Sequence, residues 1–338
     1  MYLDRDRARL SGRAADLLHH SKFRFIVTGA SGWLGRVTLE LLADALGSQF
    51  EHRVRCFGSS TRNIELDDGR SIEQNTLSHL AELRPAPSVL LHYAFHTRDK
   101  LASFSAASYI AANREIAQTV ERQLTRLGVT RIFLLSSGAV YRPDRTLSDD
   151  LATNPYGALK LEDEQRFTRW AESQAGRSLV VARVFNLSGE YINKVSTYAL
   201  TSLLLDALRQ RPMRIRAPHR VIRSYVDSAE LVSVGLAQCL ANHCDVTDTW
   251  DTMGDKEVEL QQLAAAIGVA LGQPAVIDRP APVADPDDRY VGEGHRYRQL
   301  CAQLNIEPLD LIAQIRRTAA YLHNVLGGED VKDNTANC

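Results

Sequence analysis

The sequence predicts an α/β protein, a doubly wound parallel sheet with a smaller mixed α/β lobe in its C-terminal half. Three observations predict it. Short strands alternate with helical stretches from Phe23 to Val184, the rhythm of right-handed β-α-β units. Those strands are apolar throughout, as expected when helices cover both faces of a sheet. A glycine-rich turn, Gly29-x-x-Gly32-x-x-Gly35, joins the first strand to its helix, the context in which such glycines cradle a dinucleotide.

The elements follow in order. Residues 4–20 place Leu10, Ala14, Leu17 and Leu18 at helical spacing, so they read as a leading helix. The first strand is Phe23–Val27, and a helix follows from Arg36 to Leu46. A second strand covers Arg53–Phe57 and a third Ser88–Leu91. Then come a helix over 103–126, a strand at Arg131–Leu135, a helix over 156–175 and a strand at Leu179–Val184. After Asn186 the rhythm breaks: helices at 196–211, 228–241 and 257–272 enclose short strands at Met213–Arg216 and Val221–Val226. Pro274, Pro280, Pro282 and Pro286 make 274–292 a loop or linker. A last helix near 308–323 precedes Gly327-Gly328 and a polar tail. The expected organisation is a cofactor domain over 21–187, to which parts of 220–260 return, and a substrate lobe mainly over 188–325. The helix 1–20 flanks it at one end and a flexible tail, 327–338, at the other. There is no internal repeat.

Composition removes several function classes. Forty Lys and Arg face 41 Asp and Glu, a formal charge of −1, which gives no reason to expect nucleic acid or an anionic membrane as partner. With 44% hydrophobic residues the chain can build a large core, so it is not a disordered one. No apolar run approaches the roughly 18 residues that span a bilayer, and the start, Met1 to Arg7, lacks a secretory core. The five cysteines, Cys56, Cys239, Cys244, Cys301 and Cys338, are scattered without a Cys-x-x-Cys pair, so a reducing cytoplasm is expected. His92 and His96 straddle a strand end with no third ligand nearby, and no metal site is expected.

In the glycine turn the first glycine permits a tight turn and the others a close approach of backbone to ligand, with the helix start facing a pyrophosphate. A carboxylate after the second strand would bind the ribose 2′-hydroxyl of NAD. Here the chain reads Gly58-Ser59-Ser60-Thr61-Arg62. Hydroxyls at Ser59 and beyond, with Arg62, suit a 2′-phosphate instead. NADP(H) is therefore favoured, and NAD(H) stays open.

Tyr156 and Lys160 lie four apart, on one face of a helical turn. An ammonium beside a phenol lowers its pKa and lets it exchange a proton nearer neutrality. The strand Arg131–Leu135 leads into Ser136-Ser137-Gly138-Ala139-Val140-Tyr141 at the carboxyl edge of the sheet, where ligands of such folds bind. Ser137 could there position the oxygen that Tyr156 protonates.

Together these motifs resemble the extended short-chain dehydrogenase/reductase family, nearest its nucleotide-sugar epimerases, dehydratases and 4-keto-sugar reductases, over residues 23–323. The resemblance rests on TGASGWLG at 28–35, SSGAVY at 136–141, YGALK at 156–160, RVFNLSG at 183–189 and RSYVD at 223–227. It implies a Rossmann domain in which Ser137, Tyr156 and Lys160 are catalytic and Asn113 completes a proton relay. The cofactor would lie on Gly29, Ser31, Gly32, Trp33, Leu34 and Gly35. Ser59 and Arg62 would take its adenosine end, and Ala94, Ser136, Val184, Tyr156 and Lys160 the remainder. His92-Tyr93-Ala94-Phe95 stands where the family has a small-residue turn beside the cofactor. Asn186 and Arg223 match residues that contact the substrate diphosphate, Met213–Arg216 falls where the base is held, and Asp227 supports the fold.

Departures from the pattern narrow the chemistry. Gly138 and Ala139 stand where family dehydratases carry an Asp-Glu pair, and Ala139 and Tyr191 stand where bifunctional epimerase/reductases carry Cys and His. What the resemblance then implies is reduction of a nucleotide-linked 4-keto sugar at C4 by NADPH. The alternatives are a 4-epimerase with tightly bound NAD and, in another class, a non-catalytic dinucleotide sensor or scaffold. The resemblance also implies a homodimer through the helices 103–126 and 156–175, with Phe104, Ile110, Phe167 and Trp170 as apolar positions. These faces could equally cover the sheet.

Overall fold

The glycine turn sits where the strand order of a large sheet reverses. The computed structural model describes residues 7–326 except 242–246, 282, 284 and 285. Residues 1–6 of the expected leading helix, Cys244, Cys338 and the tail from 327 lie outside the described residues. In chain order the first half comprises α1 (Gly12–His20), β1 (Arg24–Thr28), α2 (Trp33–Leu46), α3 (Phe50–Arg53), β2 (Val54–Gly58), β3 (Arg62–Glu65), β4 (Ser71–Thr76), β5 (Ser88–His92), α4 (Ala106–Glu121), β6 (Val129–Ser137), α5 (Pro155–Glu172) and β7 (Ser178–Val184). The second comprises β8 (Asn186–Ser188), α6 (Ala199–Leu208), β9 (Met213–Arg214), β10 (Val221–Arg223), β11 (Tyr225–Asp227), α7 (Ser228–Leu240), β12 (Thr247–Asp251), β13 (Val258–Glu259), α8 (Leu260–Leu271), β14 (Ile277–Asp278), β15 (Asp288–Tyr290), α9 (His295–Gln303) and α10 (Leu311–Leu326).

The main sheet runs β12-β7-β6-β5-β1-β2-β4-β3, parallel except for the β3–β4 pair. β1 pairs with β2 on one side and β5 on the other, so the crevice between the carboxyl ends of β1 and β5 is the switch point where ligands of such sheets bind. Alternate residues face opposite sides. Phe25, Val27, Val89, Leu91, Phe133 and Leu135 join the core under α1, α2, α7 and α9. Ile26, Leu90, Ile132, Leu134 and Leu179 join the one under α4 and α5. A separate core gathers α6, α8 and α10 around Leu204, Leu263 and Ile315.

Several expectations are corrected. The leading helix starts only at Gly12, because the Ser11 hydroxyl accepts from Ala14 N and caps it there. The connection after β2 holds a β3–β4 hairpin, turned at Gly69 with φ of 85°. The helix expected over 103–126 begins at Ala106, where Ser105 caps it. The segment 274–292 is not a bare linker, because it contributes β14 to β9 and β15 to β10. Asp227 caps α7 through Ala229 N and Glu230 N, and pairs with Arg317. No helix among the described residues is long and apolar enough to cross a membrane.

Candidate active site

The turn after β1 is shaped by its neighbours. Gly29 has φ of 70°, and a Cβ there would lie 2.7 Å from Ala94 N. A Cβ on Gly35 would lie 2.3 Å from Gly29 O, so helix and turn touch only because both side chains are missing. Gly32 caps α2 without a side-chain hydrogen bond. The first-turn amides of the helix, at Trp33, Leu34 and Gly35, therefore have no side-chain cap and face the crevice at its positive end. The cradle fits a pyrophosphate. The Trp33 ring is anchored by its Nε1, which donates to Glu190 O at 2.7 Å.

At the tail of β2, Ser59 and Arg62 are both exposed. The Arg62 guanidinium donates to Ser60 Oγ at 2.8 Å and has no carboxylate partner among the described residues. Beside it a residue missed from sequence, Gln74 on β4, is fully buried against Gly58.

Tyr156 is brought to Ser137 by a close helix approach. Asn154 caps α5 and also donates to Ala139 O at 2.7 Å. Pro155 opens the helix with its φ already set. A Cβ on Gly157 would lie 2.0 Å from Ala139 O, so this glycine lets α5 sit on the turn that carries Ser137. Ser137 Oγ accepts from Ala139 N at 3.2 Å, and Ser137 lies close enough to the Tyr156 phenol to lower its pKa. The expected drop in the phenol's pKa is reversed. Burial pushes it up, outweighing Ser137 and the charge of Arg98, a residue sequence reasoning did not single out. Lys160 is turned elsewhere: its ammonium donates to Leu135 O at 2.8 Å and lies 3.9 Å from the centre of the Phe95 ring. Tyr156 packs edge-on against that same ring. Burial lowers the Lys160 pKa to about 8 and raises that of neighbouring Asp163.

Behind this set, Ser136 hydrogen bonds Glu164, which forms a buried fork with Arg183 at 2.6 Å. Arg183 continues to the Tyr141 hydroxyl at 2.6 Å, and Tyr141 to Asp251 at 2.9 Å. Val184 ends β7 directly opposite Ser137. Asn113 is buried and spends its carboxamide on backbone, accepting from His96 N at 2.8 Å and donating to Tyr109 O at 3.2 Å. It fixes the segment that carries Ala94 and Phe95. His92 hydrogen bonds Thr28 Oγ1 at 2.6 Å, and burial drops its pKa to about 3. No cluster of three or more His, Cys, Asp or Glu among the described residues is placed to hold a metal ion.

The lobe side differs from expectation. Arg223 was expected to meet phosphate, but its guanidinium is turned to Asp288 at 2.7 Å, because β10 and β15 lie side by side. Asn186 donates to Ser224 O and Tyr290 O, holding two strands rather than standing open. A phenol arrives that sequence reasoning missed: Tyr290 OH lies 3.3 Å from Ser137 Oγ. No local pattern marks it, since it ends a three-residue strand in a proline-rich stretch. Phe167 and Trp170 are buried in the core under α5, and the pairs Arg114–Glu162 and Arg166–Glu121 join α4 to α5. These two rings therefore cover the sheet.

The description of the NAD dependent epimerase/dehydratase family matches residues 25–245. No curated protein matches the chain. Among solved structures, a dTDP-glucose 4,6-dehydratase from Streptomyces venezuelae is similar at 18% identity and a TM-score of 0.67, covering 91% of this chain and 99% of that one. A UDP-N-acetylglucosamine 4-epimerase from Methanobrevibacter ruminantium is similar at 16% and 0.69, covering 90% and 99%. A UDP-glucose 4-epimerase from Thermotoga maritima is similar at 15% and 0.68, covering 90% and 100%. At these identities the structural likeness establishes a shared fold.

Proposed function

Because the chain belongs to the NAD dependent epimerase/dehydratase family, we propose that it reduces the 4-keto group of a nucleotide-linked sugar, with NADPH as reductant. One observation carries this reading. Ser137 stands near enough to Tyr156 at the carboxyl edge of the sheet to lower the phenol's pKa, beside a turn, Gly138-Ala139, that carries no acid. A Cβ on Gly138 would lie 2.4 Å from the Phe185 ring, so a carboxylate at that position would have to displace the ring.

The dinucleotide would be held by the first-turn amides of α2, by Ser59 and Arg62 at its adenosine end, and by Ala94, Ser136, Val184 and Lys160 beyond. Once bound, it supplies the hydride that adds to C4. Tyr156 gives its proton to the carbonyl oxygen, so that the C=O becomes a CH–OH, and Ser137 holds that oxygen in line. A phenol whose burial raises its pKa stays protonated at neutral pH, the state a general acid requires. Asn113 keeps the 93–97 segment in place. Phe95 must turn aside before Lys160 can reach a ribose, since the ring covers the ammonium. The missing carboxylate after β2 supports NADP(H) over NAD(H). The free, buried thiols of Cys56, Cys239 and Cys301 fit a cytoplasmic setting. The reading retains a homodimer, paired through the outer faces of α4 and α5, which light scattering on the purified chain tests.

The test is a panel of nucleotide-linked 4-keto sugars incubated with wild type and Tyr156→Phe. The wild type should consume one NADPH per sugar reduced. The variant should lose about 10²–10⁴-fold in turnover and bind NADPH within about threefold of wild type. Inversion at C4 with tightly held NAD and no net NADPH consumption would make the protein an epimerase instead.

A further inference from the structure

The corner between the β1 turn and the β2 tail is filled from the neighbouring strand. Gln74 lies on β4 between Cys56 of β2 and Arg62 of β3, paired in register with both, and is 0% exposed. Its Oε1 accepts from Ser31 N at 3.0 Å, and its Nε2 donates to Ser60 O at 2.8 Å. The carboxamide thus bridges the two turns between which an adenosine ribose is seated in this kind of sheet. Room for it comes from Gly58, where a Cβ would lie 2.5 Å from Gln74 Cδ. The residue it holds, Ser60, in turn holds Arg62 through its hydroxyl.

We infer that Gln74 is the specificity-determining residue of the adenosine corner. It sets a buried, neutral carboxamide beneath the β2 tail, where a seat built for the free 2′-hydroxyl ends its strand in a carboxylate, and so leaves the charge of this corner to Arg62 and admits a 2′-phosphate. The inference deepens the cofactor reading above and rests on it. Chemically the carboxamide suits the task. It satisfies Ser31 N–H as a carboxylate would, and it also has N–H donors, which a carboxylate lacks. A glutamate in its place would keep the first bond, lose the second and put a negative charge against the 2′-phosphate.

The experiment measures dissociation constants of NADPH and NADH for the purified full chain by nicotinamide fluorescence. Gln74→Glu should weaken NADPH by about tenfold or more and leave NADH within about threefold. Gln74→Leu removes both hydrogen bonds without adding charge, and should weaken the two cofactors by the same factor. Equal losses for both cofactors in Gln74→Glu, or no loss, would overturn the inference and leave Gln74 a structural strut. Gln74→Asp carries the same charge on a shorter arm and is read the same way if the longer carboxylate unfolds the corner. A wild type that prefers NADH sinks the NADPH reading alone, because the role of Gln74 is judged on the variant's selective loss.

Discussion

At the scale of single residues, Lys160 is the most constrained group in the site. Its ammonium is buried beneath the Phe95 ring and anchored to Leu135 O, and burial brings its pKa down to about 8. The charged form dominates below that pH and is lost above it, whereas an exposed lysine stays charged to about pH 10. If the charge is needed, kcat/KM should fall as pH rises through about 8, since this parameter reports groups of the free enzyme. Lys160→Arg, whose charge persists, should run slower but lose that descending limb. A limb unchanged in the variant would assign it to another group. Tyr290 adds a second phenol at Ser137, itself held protonated because burial raises its pKa.

At the scale of elements, the catalytic geometry depends on how closely α5 lies on the turn after β6. Replacing a helical glycine by alanine ordinarily gains up to roughly 0.5–1 kcal/mol, most of it in a helix interior. At Gly157 the new Cβ would sit 2.0 Å from Ala139 O, so the sign reverses. Gly157→Ala should cost about 1–3 kcal/mol in denaturant melts and lower turnover as well, because the helix that must shift carries Tyr156. A variant as stable as wild type would show that the turn yields easily.

Which elements could be read from sequence follows from burial. β1, β2, β5, β6 and β7 are covered on both faces and so spell continuous apolar runs such as Phe25-Ile26-Val27. β12 reads Thr-Asp-Thr-Trp-Asp and is mostly exposed in its first three residues, because it is the sheet's last strand on that side. β3 and β4 close the opposite edge with equally polar sequences. That Tyr156 and Lys160 share one face of α5 was legible from their spacing of four, but the turn of the ammonium to Leu135 O was not. Gln74 and Tyr290 were not legible either, because strand pairing alone brings them to Ser31 and Ser137. Arg223 was legible by motif but not its partner, which arrives on β15.

At the scale of the molecule, the described residues form two cores on the faces of the main sheet and one in the lobe. Leu263 is fully buried in the lobe core, among α6, α8 and α10. Leu263→Ala should cost about 2–5 kcal/mol and impair substrate binding more than NADPH binding, which isothermal titration of both ligands would resolve. Equal impairment of the two would mean that the cores unfold as one unit.

The edge position of β12 also bears on how the protein is born. β7 is complete at Val184, but the strand that pairs with it, from Thr247↔Leu179 to Asp251↔Arg183, emerges from the ribosome only after all of α6 and α7. At roughly 5–20 residues per second, the flank of β7 stays bare for several seconds in every nascent chain. Its unpaired backbone, apolar from Leu179 to Ala182, is during that interval an open strand edge of the kind folded sheets keep covered.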